Sequence, residues 1–204
     1  MNYTEFFKKI DAEIRKANSI VILRHESPDP DAIGSQVGLR EIIRATYPEK
    51  TVYLLGEMPS SLTYIGEMDE ITQEQFDASL VIVLDCANTP RIDCPFEVDP
   101  SKVIKIDHHP DRDVYGAISF VDTDSSSTSE MLCRFAFDAE STWTMSKEAA
   151  NALYAGIVGD TGRFLYPSTT TITFSMVSKL LEYDVDISGI AYQMITNPVS
   201  VSRL

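Results

Sequence analysis

The histidines of this 204-residue chain, and many of its aspartates, fall in four short stretches. These are His25-Glu26-Ser27-Pro28-Asp29-Pro30-Asp31-Ala32-Ile33-Gly34-Ser35, then Asp85, then Asp107-His108-His109, then Gly159-Asp160-Thr161-Gly162-Arg163-Phe164. Imidazole with several carboxylates and no thiolate suits a divalent ion such as Mn²⁺ better than it suits a zinc-thiolate site. The donors outnumber what one ion needs. A carboxylate shared between two ligand sets suggests a two-metal centre, whose ions lie about 3.5–4 Å apart and favour in-line attack on phosphorus. Each piece alone has a plainer reading: Asp29 and Asp31 flanking Pro30 fit a turn and a helix N-cap, and Asp85 fits a loop cap. The three histidines, however, lie together at two strand ends, where chance would scatter them.

Such a site needs a scaffold that brings distant stretches together. Short apolar, β-branched runs predict strands over 19–24, 52–55, 80–84, 103–106 and 117–121. Helical spacing covers 4–17, where Phe6, Phe7, Ile10 and Ile14 share a face, and 33–47, with Val37, Leu39, Ile42 and Ile43 as core candidates before Pro48. Further helices are expected over 129–138, 147–158, 172–183 and 187–195. The alternation predicts an α/β fold: a doubly wound, mostly parallel five-stranded sheet with helices on both faces. In open parallel sheets ligands bind beyond the carboxyl ends of the strands. Three of the four stretches follow such ends, and the fourth follows the helix over 147–158.

Composition narrows the partners. With 17 Lys plus Arg against 31 Asp plus Glu the formal charge is -14, which disfavours a protein that coats nucleic acid or anionic membrane by charge alone. An anionic substrate would need a local source of positive charge. Hydrophobic residues make up 44% of the chain and charged residues 24%, ordinary globular usage that argues against disorder. Cys86, Cys94 and Cys133 form no CxxC pair and leave one over, so neither a zinc ribbon nor a disulfide framework is expected. The N-terminus has no signal-peptide pattern and no stretch has membrane-spanning length, so a cytoplasmic location without membrane contact is expected. The run Ser125-Ser126-Ser127-Thr128-Ser129 fits a loop that caps the next helix.

Taken in order across 20–164, the four stretches resemble the motifs of the DHH phosphoesterase superfamily. Leu165-Tyr166-Pro167-Ser168-Thr169-Thr170 continues the likeness, and the Pro-Asp-Pro-Asp-Ala loop is most similar to the nanoRNase branch of bifunctional oligoribonucleases and pAp phosphatases. The resemblance implies that His25 and Asp29 bind a first metal, that Asp31, His108 and Asp160 bind a second, and that Asp85 bridges them. It implies that His109 faces the substrate phosphate and that Asp107 orients the histidine pair from behind. Arg163 would contact phosphate, with a surface ion pair as the alternative, and Arg91 ranks below it. For Ser35 and the hydroxyls at 127–129, capping outweighs substrate contact. Asp29, Asp31, Asp85 and Asp160 would place -4 in one cleft and two divalent ions +4, so metal loading would turn a phosphate-repelling site into an attracting one.

The activity implied is Mn²⁺-dependent hydrolysis of short oligoribonucleotides to mononucleotides, with removal of the 3′-phosphate of pAp to give AMP. Alternatives are a family II type pyrophosphatase or exopolyphosphatase, a cyclic-dinucleotide phosphodiesterase and, outside enzymes, a regulatory module that binds metal without catalysis. All six ligand positions are intact, which weighs against the last. Members of this branch continue into a substrate-gripping DHHA1 domain, and no Gly-rich, His-containing motif of that kind occurs here. The expectation is a DHH catalytic domain over 1–196, the start of an interdomain connector over 197–204, and a DHHA1 domain missing from a truncated chain, with a natural stand-alone catalytic domain as the alternative. Without it, activity on oligonucleotides is expected to be weak or nil. A homodimer is left open.

Overall fold

A computed structural model describes residues 2–197; most of the expected connector, 198–204, lies outside them. In chain order the elements are α1 (Tyr3–Lys16), β1 (Ser19–Leu23), α2 (Pro30–Thr46), β2 (Thr51–Leu54), α3 (Gln73–Asp77), β3 (Leu80–Leu84), β4 (Ile104–Asp107), β5 (Ile118–Val121), α4 (Thr128–Ala136), α5 (Lys147–Asp160), α6 (Thr171–Leu180) and α7 (Ile187–Thr196). The five strands form one sheet in the order β2-β1-β3-β4-β5, and every pairing is parallel. This is the α/β sheet that the apolar runs predict.

Alternation along the strands divides the interior in two. Ile20, Ile22, Val52, Leu54, Ile82, Leu84, Ile104, Ile106 and Phe120 face one side and pack with the buried faces of α1, α2, α4, α5 and α6. Val21, Leu23, Val83 and Val103 face the other, where Phe76 of α3, Leu55, Cys86 and Tyr115 cover them. Both faces are buried, as a parallel sheet requires. The cover is unequal, because on the second face one five-residue helix and the loops after β3 and β4 replace a full layer of helices.

Two boundaries differ from expectation in ways that bear on the site. α2 begins at Pro30 rather than Ile33, with Asp29 as its N-cap and proline in the first turn. α5 runs on to Asp160, so that residue ends a helix instead of following one. α2 and α5 pack with backbones nearly touching: a Cβ at Gly34 would lie 2.5 Å from the Ala152 carbonyl oxygen, and one at Gly156 would lie 2.8 Å from Asp31 Oδ1. Glycine at both positions lets α5 approach the aspartate that opens α2. No helix among the described residues is long and apolar enough to cross a membrane.

Candidate metal centre

Connections leave β1 and β3 in opposite directions, β1 toward β2 and β3 toward β4, which opens a crevice at the carboxyl end of the sheet. His25 lies just beyond β1, Asp85 follows β3, and Asp107 closes β4 with His108 and His109 after it. The N-terminus of α2 brings Asp29 and Asp31, and the C-terminus of α5 brings Asp160.

His25 Nδ1 donates to the Glu26 carbonyl at 2.7 Å, which leaves Nε2 to face Asp85 Oδ2 at 3.5 Å and Asp29 Oδ2 at 3.9 Å. Asp29 divides its carboxylate: Oδ1 accepts the Asp31 and Ala32 amides at 3.0 Å each, and Oδ2 remains for the cluster. Helix capping and ligation are therefore compatible at this residue. Asp31 is fully buried, and its two oxygens accept the first amides of α4, Thr128 at 2.7 Å and Ser129 at 2.9 Å. Ser127 caps the same helix by accepting the Glu130 amide. The orphan donors of α4 are thus shared between its own cap and a carboxylate 97 residues earlier.

Asp85 sits at φ 53°, a left-handed conformation that aspartate tolerates better than most residues. Its Oδ1 lies 3.5 Å from His108 Nε2 and accepts the Thr128 hydroxyl at 3.0 Å, while Oδ2 faces His25. His108 Nε2 also lies 3.0 Å from Asp160 Oδ2. Two triads result, His25 with Asp29 and Asp85, and Asp31 with His108 and Asp160, each with donor atoms within 4.8 Å of one another. Asp85 with His108 and His109 forms a third such group between them. Asp85 Oδ2 and His108 Nε2 are buried without a hydrogen-bond partner. A divalent ion is the partner that such oxygen and nitrogen donors fit.

Without a cation the charges in this cluster set its protonation. Burial opposes charge on His25, but Asp85 and Asp29 override it and push its pKa up to about 9. Burial opposes charge on His108 too, and Asp160, Asp85 and Asp31 carry its pKa up to about 10. Asp31 moves well above the carboxylate range, through burial first and then the charges of Asp85 and Asp160. Asp85 goes the other way, because the three histidines outweigh its burial. A cation must therefore displace protons from His25 and His108 throughout the neutral range. Apparent metal affinity should rise from pH 6.5 to 8.5, roughly tenfold per unit for each displaced proton. Calorimetric titration across that range checks this, and an affinity independent of pH would refute it.

The other expected residues are placed as follows. Asp107 Oδ1 accepts from the His109 amide at 3.1 Å and from its Nδ1 at 2.9 Å. It thus holds one histidine of the pair rather than both. His109 is part exposed, with its ring tilted 56° to that of His108 and the centroids 4.2 Å apart. Arg91 Nη2 lies 3.3 Å from His25 Nδ1 and 3.4 Å from the Glu26 carbonyl, against the back of the His25 ring. Arg163 is exposed on a left-handed turn, with Gly162, Arg163 and Phe164 at φ 54°, 61° and 67°. Its side chain makes no ion pair among the described residues. Ser35 bonds the Ala32 carbonyl of its own helix.

Residues with no signal in the motif pattern complete the surroundings. The fully buried Arg24 bonds the His25 carbonyl at 3.0 Å and contacts Asp93 and the Glu57 carbonyl. Lys105, also fully buried, lies behind Asp107. Each sits in an apolar run or at its edge, and only the fold reveals its partners.

Residues 19–157 match the model of the DHH family, N-terminal domain. The chain is 48% identical over 198 residues to a Streptococcus mutans protein named a probable bifunctional oligoribonuclease and PAP phosphatase, covering 97% of this chain and 63% of that protein. It is 43% identical over 188 residues to a Bacillus subtilis bifunctional oligoribonuclease and PAP phosphatase, covering 92% and 60%. Among solved structures it resembles an exopolyphosphatase-related protein from Bacteroides fragilis with a TM-score of 0.79 and 26% identity, covering 95% of this chain and 61% of that one. The chain thus spans about three fifths of the length of the relatives it matches.

Proposed function

The chain belongs to the DHH family, and from that membership we propose that it is the catalytic part of a cytoplasmic two-metal phosphoesterase that hydrolyses short oligoribonucleotides to mononucleotides and pAp to AMP, with Mn²⁺ as the metal. The observation that carries the reading is Asp85, whose two oxygens lie 3.5 Å from His25 Nε2 and 3.5 Å from His108 Nε2 in different triads. In this reading His25 and Asp29 hold one cation, Asp31, His108 and Asp160 hold the other, and Asp85 contacts both.

Two divalent cations so held would acidify water and offset the charge of a bound phosphate. The chain's own residues do the positioning. Asp29 and Asp31 are fixed by helix amides, and His25 by the Glu26 carbonyl, so the donor atoms hold their places as substrate arrives. His109 donates Nδ1–H to Asp107, and although burial opposes its charge, Asp107 and Asp85 favour the imidazolium, whose Nε2–H would donate to the phosphate or protonate the leaving oxygen. Arg163, exposed three residues beyond Asp160, is the phosphate-binding cation of this reading, and Arg91 donates to the Glu26 carbonyl that also holds His25. The printed names of the Streptococcus and Bacillus relatives support nucleotide substrates. That of the Bacteroides structure favours phosphoanhydride hydrolysis as the second reading.

Product release from pApA, pAp, pyrophosphate and a cyclic dinucleotide, measured side by side with Mn²⁺, separates these readings. The expected ranking places pApA and pAp first. Measured on a protein of its relatives' full length, a clear preference for pyrophosphate would overturn the nuclease reading, and hydrolysis of none of the four would overturn the enzyme reading.

A further inference from the structure

Lys105 carries an ammonium into the middle of the sheet, where its side chain is fully buried. An ammonium in that position is costly unless opposite charge compensates it. Strand alternation puts Lys105 and Asp107 on the same face of β4, beside Val83 on β3 and Ser119 on β5. Lys105 Nζ donates to Asp111 Oδ1 at 2.5 Å, lies 3.7 Å from Asp107 Oδ2 and sits 4.6 Å from the centre of the Tyr115 ring. The Tyr115 hydroxyl is held by the Cys86 carbonyl at 2.7 Å, so this wall of the ammonium's pocket is anchored to the residue after Asp85.

Asp107 explains why the cation is there. Its Oδ1 accepts twice from His109, but its Oδ2 is buried with no hydrogen-bond partner. Asp111 alone would not require burial, since its side chain is 38% exposed. The one buried group that needs the ammonium is the carboxylate that grips His109. Among the described residues, no hydrogen bond or ion pair joins Lys105 to any of the six residues assigned to the cations.

We propose that Lys105 is a positioning residue: its ammonium holds the Asp107 carboxylate in the orientation that accepts the His109 Nδ1–H hydrogen bond, and so fixes which nitrogen of His109 faces the substrate. This rests on the phosphoesterase reading for its effect on turnover, though not for its effect on the His109 ring. Removing the cation leaves every metal ligand in place but frees Asp107 to rotate or to recruit water. His109 then loses its tether, and bound substrate meets a ring in the wrong orientation. The loss falls on kcat rather than on KM or metal content.

Lys105→Met, Asp107→Asn and the double variant test this. Lys105→Met should keep the metal stoichiometry of the wild type and lower kcat by about 10–100-fold, the range for residues that orient an active-site group from behind. The double variant should be no slower than Asp107→Asn alone, because Lys105 acts through Asp107. It also lacks the unpaired carboxylate, so it tests the coupling even if Lys105→Met folds poorly. Nitrogen-15 spectra of the histidine rings, recorded with diamagnetic Mg²⁺, should show His109 as an Nδ1–H donor in the wild type and lose that signature in Lys105→Met. These spectra need no turnover: unchanged His109 signals overturn the proposal even if the wild type hydrolyses nothing. Losses of kcat that multiply in the double variant, or metal lost from Lys105→Met, would also overturn it.

Discussion

Asp85→Asn should reduce Mn²⁺-dependent hydrolysis on the order of a thousandfold and lower the bound metal from two ions to one or none, while the chain still folds. Groups that merely support metal ligands are worth about 10–100-fold, and a carboxylate shared between both triads must exceed that. Folding is spared for three reasons. Asparagine is among the few residues that accept the left-handed backbone at this position. Its carbonyl oxygen can still accept the Thr128 hydroxyl that now binds Oδ1. Loss of the negative charge also relieves Asp31, which burial and then the charges of Asp85 and Asp160 hold well above its ordinary pKa. What the variant loses is specific: an amide nitrogen cannot ligate a cation, and one of the two histidine-facing positions becomes a donor. Turnover and metal stoichiometry measured on the same preparation decide the matter. Activity within tenfold of the wild type would end the assignment of Asp85 as the shared ligand.

The sheet and the convergence of acidic and histidine residues at its carboxyl end were legible for the same reason. A strand buried on both faces must be an uninterrupted apolar run, and a polar residue just after it marks the carboxyl end where ligands bind. Leu80–Leu84 followed by Asp85 is the clearest case. The early start of α2 was also written in the chain, since an aspartate followed by proline is a helix-opening pattern. It was obscured because the stretch reads equally well as a Pro-containing loop. Asp29 resolves this by giving one oxygen to the helix and keeping the other for the site. α3 has a capping box, with Thr72 and Gln75 each binding the other's backbone, but five residues are too few to show a periodic face. Lys105 was hidden for a deeper reason. Inside Val103-Ile104-Lys105-Ile106 it is a blemish in a strand, and its purpose depends on Asp107, Asp111 and Tyr115 converging on one side of the sheet. Similarly, the bonds from Asp31 to the amides of α4 cross almost half the chain and leave no local trace.

Thermal stability should depend steeply on divalent cation, and the steepness counts the ions. Asp29, Asp31, Asp85 and Asp160 converge on one crevice, and the metal-free chain offsets their repulsion in part by retaining protons on His25, His108 and Asp31. A cation that binds the folded chain replaces those protons with a stronger counter-charge. At 100 times its dissociation constant one bound ion contributes about 2.7 kcal/mol, so two contribute about 5 kcal/mol. For a domain of this size each kcal/mol moves the melting temperature by about 2–4 °C, which gives an expected rise of about 10–20 °C between chelator and saturating Mn²⁺. Above saturation, each further tenfold increase in free ion adds about 1.4 kcal/mol per site. The wild type should therefore climb at twice the single-site slope, and Asp85→Asn should climb at the single-site slope or less. Differential scanning calorimetry at fixed pH, over two decades of free Mn²⁺, measures both. A single-site slope in the wild type would keep a metal in the crevice but sink the shared role of Asp85, and a melting temperature indifferent to Mn²⁺ would sink the metal centre altogether.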